Sequence, residues 1–137
     1  MNTTAQPAHP EPHALFNDTA YREGIELFNR GQFWHAHEAW EARWLHSSGH
    51  SRQFIQGLIQ VAAALVHWQR GNQRGLLRNW HKAQINLSAV PSPYAGIDLT
   101  ALGAWMDGMA THAITNAPTL ALVHDGLGQG GPSNEAI

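Results

Sequence analysis

The spacing of apolar residues constrains this chain most. From Tyr21 onward they recur three and four positions apart, segment after segment, and nowhere alternate as in a half-buried strand. Asp18 caps the first segment, in which Tyr21, Ile25 and Phe28 repeat, and Gly31 closes it. A second helix runs from about Gln32 to His46, with its aromatic-rich part from Phe33 to Leu45. Ser47, Ser48, Gly49 and His50 break it. Ser51 caps a third helix, which runs to about Arg70 and ends at Gly71. Asn72 opens a fourth, with Leu76, Trp80, Ala83 and Leu87 on one stripe, and Pro91 and Pro93 stop that region. Asp98 caps a fifth, with Leu102, Trp105, Met106 and Met109 inward, and Thr119 to Val123 is a short extended piece packed back on the rest. Short links between amphipathic helices make antiparallel neighbours. The expected fold is therefore all-α, a compact bundle of about five helices built from antiparallel helical hairpins.

Residues 1–14 carry three prolines and few apolar groups, and read as a flexible leader. Residues 15–124 read as a single helical domain. Residues 125–137, with Gly126, Gly128, Gly130, Gly131 and Pro132, read as a disordered tail. No internal repeat is visible in the letters.

Charge is sparse. Asp, Glu, Lys and Arg make up 13% of the chain, about half the usual share. The net charge is −2 with His neutral, and Lys82 is the only lysine. Nucleic acid is not expected as a partner, because its binding rests on neutralising phosphates. There is no cysteine, so a zinc site would have to use His and carboxylates. The longest apolar run, Val61 to Val66, is too short to span a bilayer, and the first twelve residues lack the pattern of a secretory signal. The expectation is a cytoplasmic protein with no membrane partner.

On a helical wheel of about 100° per residue, Phe33, Trp40 and Trp44 of the second helix fall together and define a buried side. His37 lies at its centre, with Glu41 beside it one turn on. Trp34 and Leu45 flank Glu41, Glu38 sits at the edge, and His35 points away with Ala39 and Ala42. A buried carboxylate is costly unless it is paired or ligating. The third helix offers partners: its least apolar strip holds Gln56, Gln60, Ala63, Ala64 and His67, bordered by Gly57 and Gly71, and contains no charge. If the two helices pair antiparallel, Gln60 or His67 reaches His37 and Glu41. Equally, the strip can face water, flanked by Arg52 and Arg70.

His37 and Glu41, four residues apart, can share one ion from one helix face, with His67 as a third ligand from the next helix. The His-Glu-x-x-His pattern of metalloproteases is absent, and so is the paired Glu-x-x-His of di-metal bundles. No nucleophile elbow and no phosphate-binding glycine loop is present. At helical spacing, Trp34, Trp40 and Trp44 serve either as core or as an aromatic wall for a ligand.

The run from Leu27 to Trp44 (Leu-Phe-Asn-Arg-Gly-Gln-Phe-Trp-His-Ala-His-Glu-Ala-Trp-Glu-Ala-Arg-Trp) and the run from Phe54 to His67, followed by Gly71-Asn72, resemble the domain of unknown function 309 family. The resemblance extends over about Tyr21 to Leu87. It implies an all-helical fold and a family described as predicted metal-dependent hydrolases. The matching positions are His37, Glu38, Trp40, Glu41 and Trp44, then Gln56, Gly57, Gln60 and His67. On that reading His37, Glu41 and His67 hold a divalent metal, Glu38 is a general base or a partner in the outer shell, and metal-bound water is the nucleophile.

Two other readings stand beside it. One is a non-catalytic module that binds a small ligand or a protein segment at the Trp-rich site. The other is a purely structural network of His37, Glu41, Gln60 and His67, with Gln56 as a further polar partner. Leftover apolar helix surface leaves a homodimer open.

Overall fold

A computed structural model of the chain describes residues 11–123. They form six helices: α1 (Glu11–Phe16), α2 (Thr19–Asn29), α3 (Phe33–Trp44), α4 (Gly49–Gln69), α5 (Gln73–Leu87) and α6 (Leu99–Ala110). The five expected helices are α2 to α6. The sixth, α1, begins inside the stretch read as a leader and packs on α2 and α4. The rest of that leader and the tail lie outside the described residues. The fold is all-α, and none of the described helices is long and apolar enough to cross a membrane.

The caps explain the boundaries. Asp18 accepts from the Tyr21 N–H, Asn72 from the Gly75 N–H and Asp98 from the Ala101 N–H, so each side chain satisfies a donor that the first helical turn leaves free. The cap expected for the third helix of the sequence differs. Helix α4 starts at Gly49, and Ser51 lies buried in its first turn with its hydroxyl 3.2 Å from that of Tyr94. Gly31 (φ 77°) and Gly71 (φ 74°) end α2 and α4 in the same way. After each, the next N–H turns back to a carbonyl five residues upstream: Gln32 to Leu27 and Asn72 to His67, both at 2.9 Å.

Helix α4 is the axis of the bundle, and α3 and α5 pack along it. Its Phe54, Leu58, Val61 and Leu65 are fully buried among Tyr21, Phe28, Phe33, Trp40 and Leu76. Between α2 and α3 the backbones come close because Gly24 has no side chain: a Cβ there would run into the Trp40 indole. The indole N–H donates to the Tyr21 carbonyl at 3.1 Å. Residues 119–123 fold back as expected, with Asn29 exchanging two hydrogen bonds with the Leu120 backbone and the Val123 N–H donating to Gly96.

Tyr21 ties α2 to the loop before α6. Its buried hydroxyl donates to the Ala95 carbonyl at 2.7 Å. Burial holds its phenol well above the ordinary value of 10.0, against a smaller lowering by Arg22 and with a small lift from Tyr94. The folded state thus keeps this proton after the unfolded chain has begun to lose it. The stabilisation is complete below about pH 10 and is lost as pH rises from there through the folded-state value. Tyr21→Phe is expected to cost about 1–3 kcal/mol at neutral pH, by leaving a buried carbonyl without its donor, and to flatten the alkaline fall in stability. Urea midpoints measured from neutral pH upward test this. Parallel pH profiles for the two proteins would reject it.

Candidate functional site

Helix α3 buries Phe33, Ala36 and Trp40. Its inward arc is turned by about 30° toward Ala36 from the side that the large aromatics define. The cause is a clamp on either edge. On one edge Arg43 pairs with Asp18 at the start of α2 (3.4 Å) and donates to the Ser47 hydroxyl at 2.7 Å. On the other, Trp44 lies under the Arg52 guanidinium, 3.6 Å from the ring centre, while Arg52 donates to the carbonyls of Trp44 and Ser47.

This rotation corrects the expected site. Glu41 is exposed, as is Glu38, and His37 is half-buried at the edge of the packed side rather than at its centre. An exposed Glu41 needs no buried partner. His35 is exposed, as the wheel places it. The three tryptophans do not form one wall. Trp40 is core, Trp44 holds Arg52, and Trp34 is 53% exposed and stacks flat on His37, with centroids 5.0 Å and planes 8° apart. The Nδ1 of that histidine is shut off from water and has no hydrogen-bond partner.

The α4 strip is where the sequence places it, but the hydrogen bonds of Gln60 and His67 go to α5 and its cap, not to α3. Gln56, Gln60, Ala63 and His67 are half-buried, and Ala64 is buried. The Gln60 Oε1 accepts from the Asn86 Nδ2 at 2.7 Å. The Asn72 amide is oriented by its cap, since Oδ1 takes the Gly75 N–H. Its Nδ2 therefore donates to the His67 Nδ1, 3.1 Å away. The His67 ring lies where a side chain at position 75 would be, so Gly75 is what admits it. Gln56 borders a shallow cleft of about 260 Å³ with Trp44, Gly49, Arg52, Gln53 and Asn86. The sequence gives no hint of Asn86 as a partner and places Arg52 only as a flank of the strip. Their signal was their register opposite Gln60 and Trp44, which becomes readable only once the hairpin pairing is fixed.

Among the described residues no three His, Cys, Asp or Glu side chains come together where they could hold a metal ion. His37, Glu41 and His67 are not gathered, and the His67 Nδ1 lone pair is already taken by Asn72. Among the described residues these three side chains therefore do not form a metal site as they stand.

The family model for a domain of unknown function (DUF309) matches residues 21–79, the span that holds the α3 motif and the α4 strip. A conserved hypothetical protein of Thermus thermophilus, known from its crystal structure, is 33% identical, with a TM-score of 0.59 over 66% of this chain and 95% of that one. The chain belongs to the DUF309 family. A second relative, an uncharacterized protein of Aquifex aeolicus (strain VF5), is 29% identical over 101 residues. That match covers 72% of this chain and 30% of the Aquifex protein, so the present chain corresponds to less than a third of that relative. The region shared with this DUF309 chain thus makes up nearly all of one relative and a minor part of another.

Proposed function

We propose that the chain is a non-catalytic binding module that takes a protein helix on the outward face of α3. The observation that carries this reading is the Trp34–His37 stack. A tryptophan left 53% exposed and braced flat by a neighbouring ring is the kind of rigid aromatic anchor that dominates protein interfaces. Leu45, three turns on, is 65% exposed, and Glu38 and Glu41 lie between the two. The stripe from Trp34 through Glu38 and Glu41 to Leu45 follows helical spacing, which suits a partner helix with apolar and basic residues. The two sizes of protein in which the shared region occurs also support a portable module. The hydrolase reading lacks comparable support, because its three ligands do not meet.

The test is an NMR titration, under conditions where the chain is monomeric, with an amphipathic Leu/Lys helical peptide. The Trp34 indole N–H and the backbone signals of Glu38, Glu41 and Leu45 are expected to move together, and Trp34→Ala to weaken the response. A response centred on another face, or none, would reject the reading.

A further inference from the structure

Resting on that reading, we infer that the partner helix is α5 of a second copy of this chain. The placement of two stripes carries the inference. Helix α3 meets α2 through Arg43 and α4 through Trp44. Going round the α3 wheel past Trp44, the next residues outward are His37, Glu41, Trp34, Leu45 and Glu38. Helix α5 meets α6 through Gln73 and Trp80, and α4 through Gly75 and Asn86. Going round its wheel past Gly75, the next outward residues are Lys82, Arg78, Ile85 and Arg74. So an acidic-apolar stripe and a basic-apolar stripe flank the half-buried Gln56–Gln60–His67 strip of α4, one on each side.

The stripes match. Arg74, Arg78 and Lys82 are exposed and Ile85 is 61% exposed, against Glu38 and Glu41 with Trp34 and Leu45. Among the described residues the one ion pair joins Arg43 to Asp18, so none of these five charges is paired there. Helices α3 and α5 both run antiparallel to α4 and hence parallel to each other. A two-fold axis along α4 sets α3 of each copy on α5 of the other and brings unlike charges together at both contacts. A two-fold axis across α4 would set α3 on α3 and gather four carboxylates, which the charges oppose. In the favoured arrangement the amides of Gln56 and Gln60 face their own counterparts at the centre.

Sedimentation velocity on the full chain tests this. The wild type is expected to be a dimer that weakens as salt is added. The pair Glu38→Lys and Glu41→Lys, and separately the pair Arg78→Glu and Lys82→Glu, should each weaken dimerisation by about a hundredfold. All four positions are exposed, so both variants should stay folded with the helical circular dichroism of the wild type, and any drop in melting temperature should be the concentration-dependent loss of the dimer. Mixed one to one, the two monomeric variants should restore a dimer, because each supplies the charge the other lacks. A monomeric wild type, reversals without effect, or a mixture that stays monomeric would overturn the self-pairing. The Leu/Lys peptide titrated into the Arg78→Glu/Lys82→Glu variant reads the α3 surface alone. A response there with a failed mixture overturns only the choice of partner, whereas silence there overturns the reading beneath it.

Discussion

Trp40→Ala is expected to lower the unfolding free energy by about 3–5 kcal/mol, the cost of removing a large ring from a packed core. Typical domains have only about 5–15 kcal/mol in total. Trp40 is fully buried, touches Phe28 with ring centroids 5.8 Å apart, and gives its N–H to the Tyr21 carbonyl. Three losses therefore coincide: transfer free energy, packing of α2 on α3, and the donor to a carbonyl that water cannot reach. Urea unfolding with a constant m-value measures the sum. A cost under about 1 kcal/mol would mean that the site collapses without the ring and that α3 is held by its edges alone.

Gly24→Ala should be the next most damaging change, and its sign should depend on Trp40. In a helix interior alanine is favoured over glycine by about 1 kcal/mol. Here the new methyl meets a rigid indole rather than the end of a flexible chain, and overpacking of that kind costs about 3 kcal/mol. The net expectation is a loss of about 2 kcal/mol. In the Trp40→Ala background the obstacle is gone and the same methyl enters the cavity. Gly24→Ala should then be neutral or stabilising. A double-mutant cycle reads this coupling directly, and additive effects would rule out the close approach.

Helix order, type and most caps were legible in the sequence because those signals are local. Asp18, Asn72 and Asp98 each sit immediately before a periodic run, and Gly31 and Gly71 immediately after one. Serine at a break was less informative. Ser51 precedes the apolar run, but it lies inside the first turn, with its hydroxyl against that of Tyr94, forty-three residues away. The candidate site was legible in part. The wheel weighs side-chain size, so it centred α3 on Phe33, Trp40 and Trp44 and gave Ala36 no pull. The actual rotation depends on what touches the helix edges, Asp18 on one side and Arg52 on the other, and no single-helix pattern contains that. The α4 strip was recognised for the absence of charge. The letters do not say which neighbouring helix its polar atoms meet; that depends on Asn86 and Asn72, which lie on α5 and at its cap.

The turns at Gly31 and Gly71 share one backbone geometry, and the Gln69 side chain bridges them, donating to the Gly31 carbonyl at 2.9 Å. The hairpins α2–α3 and α4–α5 are thus stacked as successive rungs, a periodicity of shape that the letters do not repeat. The gap between α3 and α5 then belongs to the stacking and not to either helix's outer surface. Those outer residues are free to diverge without disturbing the frame. A lineage could exchange one recognition code for another on the same two rails.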